Sequence, residues 1–185
     1  EAVGRLGTAA TPGDELRVVV GGLGLGYTAW AALDDERIAS LHVIDALDEV
    51  IGWHRRGLVP LGETLTADPR CHMVHGDFFA MVETGIVFDD GESPPYDAIL
   101  VDIDHTPSHH LDDSHAGFYS EAGLGRVVDQ LVPGGTFALW SDDPPHDGFM
   151  TLLRQVFGEV DAEIVAFPNH YTGGESACTV YLAHP

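Results

Sequence analysis

The chain contains no lysine. Its 8 basic residues are all arginine, set against 30 Asp and Glu, for a net charge of −22 with histidine neutral. A surface this acidic repels phosphate backbones, so a nucleic acid is not an expected partner. Long apolar runs are missing as well. No stretch approaches the roughly 20 apolar residues of a membrane helix, so no membrane partner is expected. Glu1 to Asp14 has no basic start followed by an apolar run, so no secretory signal is expected. Glu1 stands where an initiator methionine would, so upstream residues are expected. Cysteine is scarce: Cys71 and Cys178 are the two, and they form no CxxC pair. That excludes a disulfide framework and a cysteine zinc site, and suits small buried thiols in a reducing cytoplasm. No G-x-S-x-G elbow occurs, so no nucleophilic triad is visible.

What remains is ordinary globular material. At 185 residues and 44% hydrophobic, the chain suits one domain with a substantial core. The 22 glycines and 11 prolines are spread along it and mark turns. The acidity has two readings, a well-solvated surface or attraction of a cationic substrate such as a polyamine.

Hydrophobic patterning divides the chain into alternating elements. Leu16–Val20 is a buried strand running into Gly21–Gly26, and Tyr27–Leu33 is helical. Leu41–Asp45 is a second strand and Leu47–Arg56 a helix, with Leu47, Val50, Ile51 and His54 on one face. Cys71–His75 is a third strand, followed by Gly76, Asp77, Phe78 and a short helix to about Glu83. A polar loop at Asp89–Pro95 precedes a fourth strand, Tyr96–Asp102, and a His- and Asp-rich loop spans Ile103–His115. Ser120–Leu131 reads as a helix stopped by Pro133-Gly134-Gly135, then come strand Thr136–Trp140 and helix Asp147–Phe157. The last strands, Asp161–Phe167 and Ala177–Ala183, have no helix between them and should pair antiparallel. The expectation is an α/β domain over 16–185, mostly parallel with an antiparallel last strand and helices on both faces, after an N-terminal extension over 1–15.

In such a sheet ligands bind at the carboxyl ends of the strands. Asp45, Asp77 and Asp102 each end or directly follow a strand, and the glycine turn follows the first. Thirty acids would put some there by chance, but not in this order. Gly22, Gly24 and Gly26 make G-x-G-x-G, tighter than the G-x-G-x-x-G of dinucleotide sites. Asp45 stands where an acid can accept hydrogen bonds from ribose hydroxyls.

These segments, with Val20–Tyr27, Val43–Asp45, His75–Asp77, Tyr96–Asp104, Phe118–Ser120 and Leu131–Thr136, resemble the spermidine-synthase-like branch of class I S-adenosylmethionine-dependent transferases over about residues 16 to 145. The resemblance implies a Rossmann-like class I methyltransferase fold. It implies S-adenosyl-L-methionine, or its decarboxylated form, as cofactor. The turn of Gly22, Gly24 and Gly26 would face the methionine part, Asp45 the ribose, Asp77 the adenine amine, Phe78 the ring, and Asp102 the sulfonium and substrate. A carboxylate there can stabilise positive charge or take a proton. A homodimer is also implied, since family members often pair.

Three departures bear on the reaction. Aminopropyltransferases resemble G-G-G-D-G at the turn, and Gly24 stands at the acid's position. Their Asp-Pro pair is broken here into Asp102-Ile103-Asp104-His105-Thr106-Pro107. Their N-terminal hairpin domain has only about fifteen residues to match it here. The expected function is therefore methyl transfer to a small molecule. Aminopropyl transfer to a polyamine and a non-catalytic cofactor-binding subunit are the alternatives. Asp102, Asp104 and His105 are the candidate catalytic groups, His105 as general base because it lies nearest the cofactor acid and has an ordinary pKa near about 6.5. His105, His109, His110 and His115 could hold a metal with nearby acids, but they follow no fixed ligand spacing, so no metal is assigned. Trp140 and Tyr119 read as pocket or core, and His170 and Tyr171 as part of a lid.

Overall fold

The computed structural model describes every residue except 89, 90, 92 and 170–172. In chain order the elements are α1 (Ala2–Ala10), β1 (Leu16–Gly21), α2 (Tyr27–Leu33), β2 (Ile38–Asp45), α3 (Asp48–Arg55) and α4 (Gly62–Ala67). Then come β3 (Cys71–His75), α5 (Phe78–Thr84), β4 (Tyr96–Val101), a 3-10 turn (Asp113–Gly117), α6 (Glu121–Val128), β5 (Leu131–Ser141), α7 (Asp147–Val156), β6 (Glu159–Asn169) and β7 (Gly174–His184).

The strands form one sheet in the order β3-β2-β1-β4-β5-β7-β6. The pairings from β3 to β5 are parallel, and β7 runs antiparallel to both β5 and β6. The central strands are apolar almost throughout because helices cover both faces. Successive residues of β1 show the division: Val19 joins a core with Phe78, Ile99 and Phe137 on one face. Val18 and Val20 join another with Ile51, Leu65 and Leu100 on the opposite face. Each such buried side chain contributes about 1.5–3 kcal/mol of transfer free energy. The chain turns from the β3 side to the β4 side at β1, which leaves a crevice above the carboxyl ends of β1 and β4.

The structure adds two helices to the sequence reading and corrects one boundary. Residues 2–10 form helix α1, and Val3 is fully buried in the core beneath α2 and β4. Gly4 and Gly7 permit that approach, since a Cβ would lie 2.5 Å from the Thr28 carbonyl oxygen and 2.4 Å from Leu100 Cδ2. Helix α4 was not legible in the sequence. Finally, α6, capped by Ser120, ends at Val128, and β5 already begins at Leu131. Pro133-Gly134-Gly135 is a register shift within that strand, with Tyr96 opposite Leu131 but Ala98 opposite Thr136. Proline, having no N–H to give the ladder, is tolerated at such an irregularity. Asp89, Asp90 and Glu92 of the polar loop, and His170 and Tyr171 of the expected lid, lie outside the described residues.

Candidate functional site

The glycine turn is held between neighbouring strand ends. Gly22 N–H donates to the Ile44 carbonyl at 2.9 Å, and Asp102 N–H to the Gly21 carbonyl at 2.9 Å. Gly22 has φ +97°, and a Cβ on it would lie 2.3 Å from the Asp102 carbonyl oxygen. Glycine is required there by both conformation and space. Gly24 is also left-handed, at φ +48°, but nothing lies within 4 Å of where its Cβ would be. Gly26 precedes α2 and faces inward, towards Leu65 and His54. The fully buried His54 reaches the turn from below, its Nε2 3.0 Å from the Gly24 carbonyl oxygen.

Three carboxylates stand around the turn. Asp45 accepts from Leu23 N–H at 3.0 Å and Gly24 N–H at 3.4 Å on one oxygen, and from Leu47 N–H at 2.9 Å on the other. Asp77 caps α5, its Oδ1 accepting from Phe79 N–H at 3.0 Å and Ala80 N–H at 3.2 Å. Asp102 accepts from the Thr28 hydroxyl at 2.5 Å. Phe78 is buried under Gly21, whose Cβ would meet its ring at 2.8 Å. Gly22, Gly24, Asp45, Asp77, Phe78 and Asp102 all line one cleft of about 350 Å³. Gly26 is not among its walls. A hollow of about 540 Å³ along the β3 edge has neither the turn nor a carboxylate among its described walls.

The loop after β4 sorts its residues in a way the sequence did not indicate. Asp104 turns inward, with its side chain 1% exposed. It accepts from Leu111 N–H at 2.7 Å, His115 Nδ1 at 2.8 Å and the Tyr119 hydroxyl at 2.9 Å. Burial, and then the charge of Asp104, push the Tyr119 hydroxyl well above its ordinary pKa, so it remains a donor. His105 is half exposed, outside the cleft walls, with Nδ1 3.1 Å from Asp142 Oδ2. Trp140, half-buried, donates Nε1–H to the other oxygen of Asp142 at 3.2 Å. His109 lies beside His105, and His110 stacks on Tyr119. Among the described residues no three His, Cys, Asp or Glu side chains gather as a metal-binding group.

Ile103, Leu111 and His115 instead complete the cleft wall. These three and Thr28 are site residues that sequence reasoning did not select. Thr28 carried a weak signal, one helical turn beyond Gly24. His115 carried none beyond membership of a His-rich loop. No helix among the described residues is long and apolar enough to cross a membrane.

Comparison with known proteins gives a consistent fold. No known family profile matches the chain. Polyamine aminopropyltransferase 2 of Pseudomonas aeruginosa is 24% identical over 162 residues, covering 82% of this chain and 42% of that protein. Spermidine synthase from Thermotoga maritima superposes with a TM-score of 0.74 at 19% identity, covering 99% of this chain and 58% of the other. Human methyltransferase-like protein 13, solved in complex with SAH, gives a TM-score of 0.67 at 16% identity, covering 99% and 78%. The chain thus spans less than half of the curated relative and under three fifths of the solved synthase. The likeness establishes the Rossmann-like fold of class I S-adenosylmethionine-dependent transferases, shared by spermidine synthases and methyltransferases.

Proposed function

We propose that this chain is an S-adenosylmethionine-dependent methyltransferase acting on a small molecule. The observation that carries the reading is the meeting of the Gly22–Gly24 turn with Asp45, Asp77 and Asp102 in one cleft of about 350 Å³. Its size is within the range of small-molecule sites, about 300–1,000 Å³. The residues fit the cofactor. Asp45, fixed by three backbone N–H groups, would hold the ribose hydroxyls. Asp77 would accept from the adenine amine with the oxygen its helix cap leaves unused. The open space beside Gly24 leaves room for the methionine part. When bound, S-adenosylmethionine supplies an electrophilic methyl group on a sulfonium.

The chain's own part is to orient, to shield and to move a proton. Asp102, steadied by Thr28, offers negative charge to a cationic centre and a site for the proton an acceptor gives up. Ile103 and Leu111 line that side with apolar side chains. Holding the acceptor in line with the methyl supplies the rest. The two unpaired thiols suit a cytoplasmic location.

Gly24 favours methyl over aminopropyl transfer, because the turn lacks the acid that would hold an aminopropyl amine. The names of the Pseudomonas and Thermotoga relatives favour the second reading, aminopropyl transfer from decarboxylated S-adenosylmethionine. Calorimetric titration with S-adenosylmethionine, S-adenosylhomocysteine and decarboxylated S-adenosylmethionine separates the two. Tighter binding of the two carboxylate-bearing ligands supports methyl transfer. Preference for the decarboxylated form replaces it with polyamine synthesis, and binding of none removes the cofactor assignment.

A further inference from the structure

Asp104 and His115 form a pair that the proposed transfer does not use. A carboxylate is an acceptor only, so the 2.8 Å contact puts the hydrogen on His115 Nδ1. In the neutral ring Nε2 is then a bare acceptor. Asp104 cannot readily turn away, because Leu111 N–H and the Tyr119 hydroxyl hold it as well. The His115 ring sits on Phe79, 4.0 Å between centroids, and Phe79 N–H is itself bonded to Asp77. Nε2 makes no hydrogen bond among the described residues, and neither does the second oxygen of Asp77. Both residues are walls of the same cleft. Both acceptors thus belong to residues that adjoin Phe79 in the cleft wall.

Two acceptors suit a group with two hydrogens. An exocyclic amine has them, whereas a carbonyl oxygen at the same place would face lone pairs. We infer that His115 is a specificity-determining contact for the adenine amine, and that Asp104 is its positioning residue. By fixing the tautomer, Asp104 denies His115 the Nε2–H with which it could donate to a carbonyl instead. The inference rests on the adenosyl-cofactor reading above.

The test compares S-adenosylhomocysteine with S-inosylhomocysteine, in which a carbonyl replaces the amine, by calorimetry on the wild-type chain, His115→Gln and Asp104→Asn. Wild type should prefer the adenosine compound by roughly 100-fold or more, since a site built for N–H donors leaves its acceptors unpaired otherwise. His115→Gln can turn either its carbonyl or its amide N–H inward, so its preference should fall to about tenfold, mostly through tighter binding of the inosine compound. Asp104→Asn should lower the preference too. An unchanged ratio in His115→Gln, with S-adenosylhomocysteine still bound, overturns the inference and leaves the cofactor reading standing. Failure of wild type to bind S-adenosylhomocysteine removes both.

Proton–nitrogen NMR on histidine-labelled wild type at about pH 8, above the ordinary histidine range, makes the result independent of variant folding. A bare Nε2 that shifts on saturation with S-adenosylhomocysteine supports the inference. A proton on Nε2, or no shift on saturation, overturns it.

Discussion

Replacing Gly22 and Gly24 separately by alanine tests whether the turn is built as described. The two positions share a left-handed backbone but differ in surroundings. Alanine in that conformation costs roughly 1–2 kcal/mol at either site. At Gly24 this is nearly the whole cost, because the new Cβ meets nothing within 4 Å. At Gly22 the Cβ would lie 2.3 Å from the Asp102 carbonyl oxygen and 3.0 Å from its carbon. These are backbone atoms at a strand end, so no side-chain rotation relieves the overlap. The turn and the end of β4 must separate, adding about 1–3 kcal/mol as overpacking does elsewhere. The expected totals are about 1–2 kcal/mol for Gly24→Ala and about 2–5 kcal/mol for Gly22→Ala. For a chain of this size each kcal/mol lowers Tm by about 2–4 °C, so Gly22→Ala should melt roughly 10 °C below wild type and Gly24→Ala only a few degrees below. Thermal melts followed by circular dichroism at fixed protein concentration read this directly. Gly22→Ala should also lose binding of S-adenosylhomocysteine, because the shift opens the cleft floor. A Gly24→Ala melt as low as that of Gly22→Ala would refute the account of the turn.

Asp45→Asn removes the charge from three backbone hydrogen bonds and from the proposed ribose contact, and should weaken S-adenosylhomocysteine binding by roughly 10- to 100-fold in calorimetry. Burial pushes the Cys71 thiol up to about 12 and raises that of Cys178, so both should resist iodoacetamide at neutral pH until the chain is unfolded, as read by mass spectrometry. Hydrogen bonds from Arg37 and Arg70 hold Asp35 and Asp68 below the ordinary 3.8. With folded values depressed, their contribution to stability is complete above the unfolded value and is lost as pH falls below it. The fall of Tm below about pH 4 should therefore be shallower in the Asp35→Asn, Asp68→Asn double variant, and an equal slope would remove these pairs from the explanation.

The amino-acid sequence by itself determined the sheet and the edge at which the cleft opens. Short-range signals suffice for both. The apolar runs of β1 and β4 require burial on two faces, and the glycines after β1 require a left-handed turn. Asp45, Asp77 and Asp102 stand where strands stop, so the cleft that collects them follows from the topology. Tertiary structure alone decided how the loop after β4 is used. His105 is read as a general base for its nearness in sequence to Asp102, but nearness does not set the direction of a loop side chain. Asp104 is drawn inward by three donors, at Leu111, His115 and Tyr119, that lie 7 to 15 residues away. His105 is held outward by Asp142, 37 residues on. Helix α1 was hidden for a related reason: Gly4 and Gly7 weaken a helix in isolation, and are explained only by the neighbours they allow it to approach. A strand's period of two is local and can be read from the chain, whereas these choices depend on partners that meet only when the chain has folded.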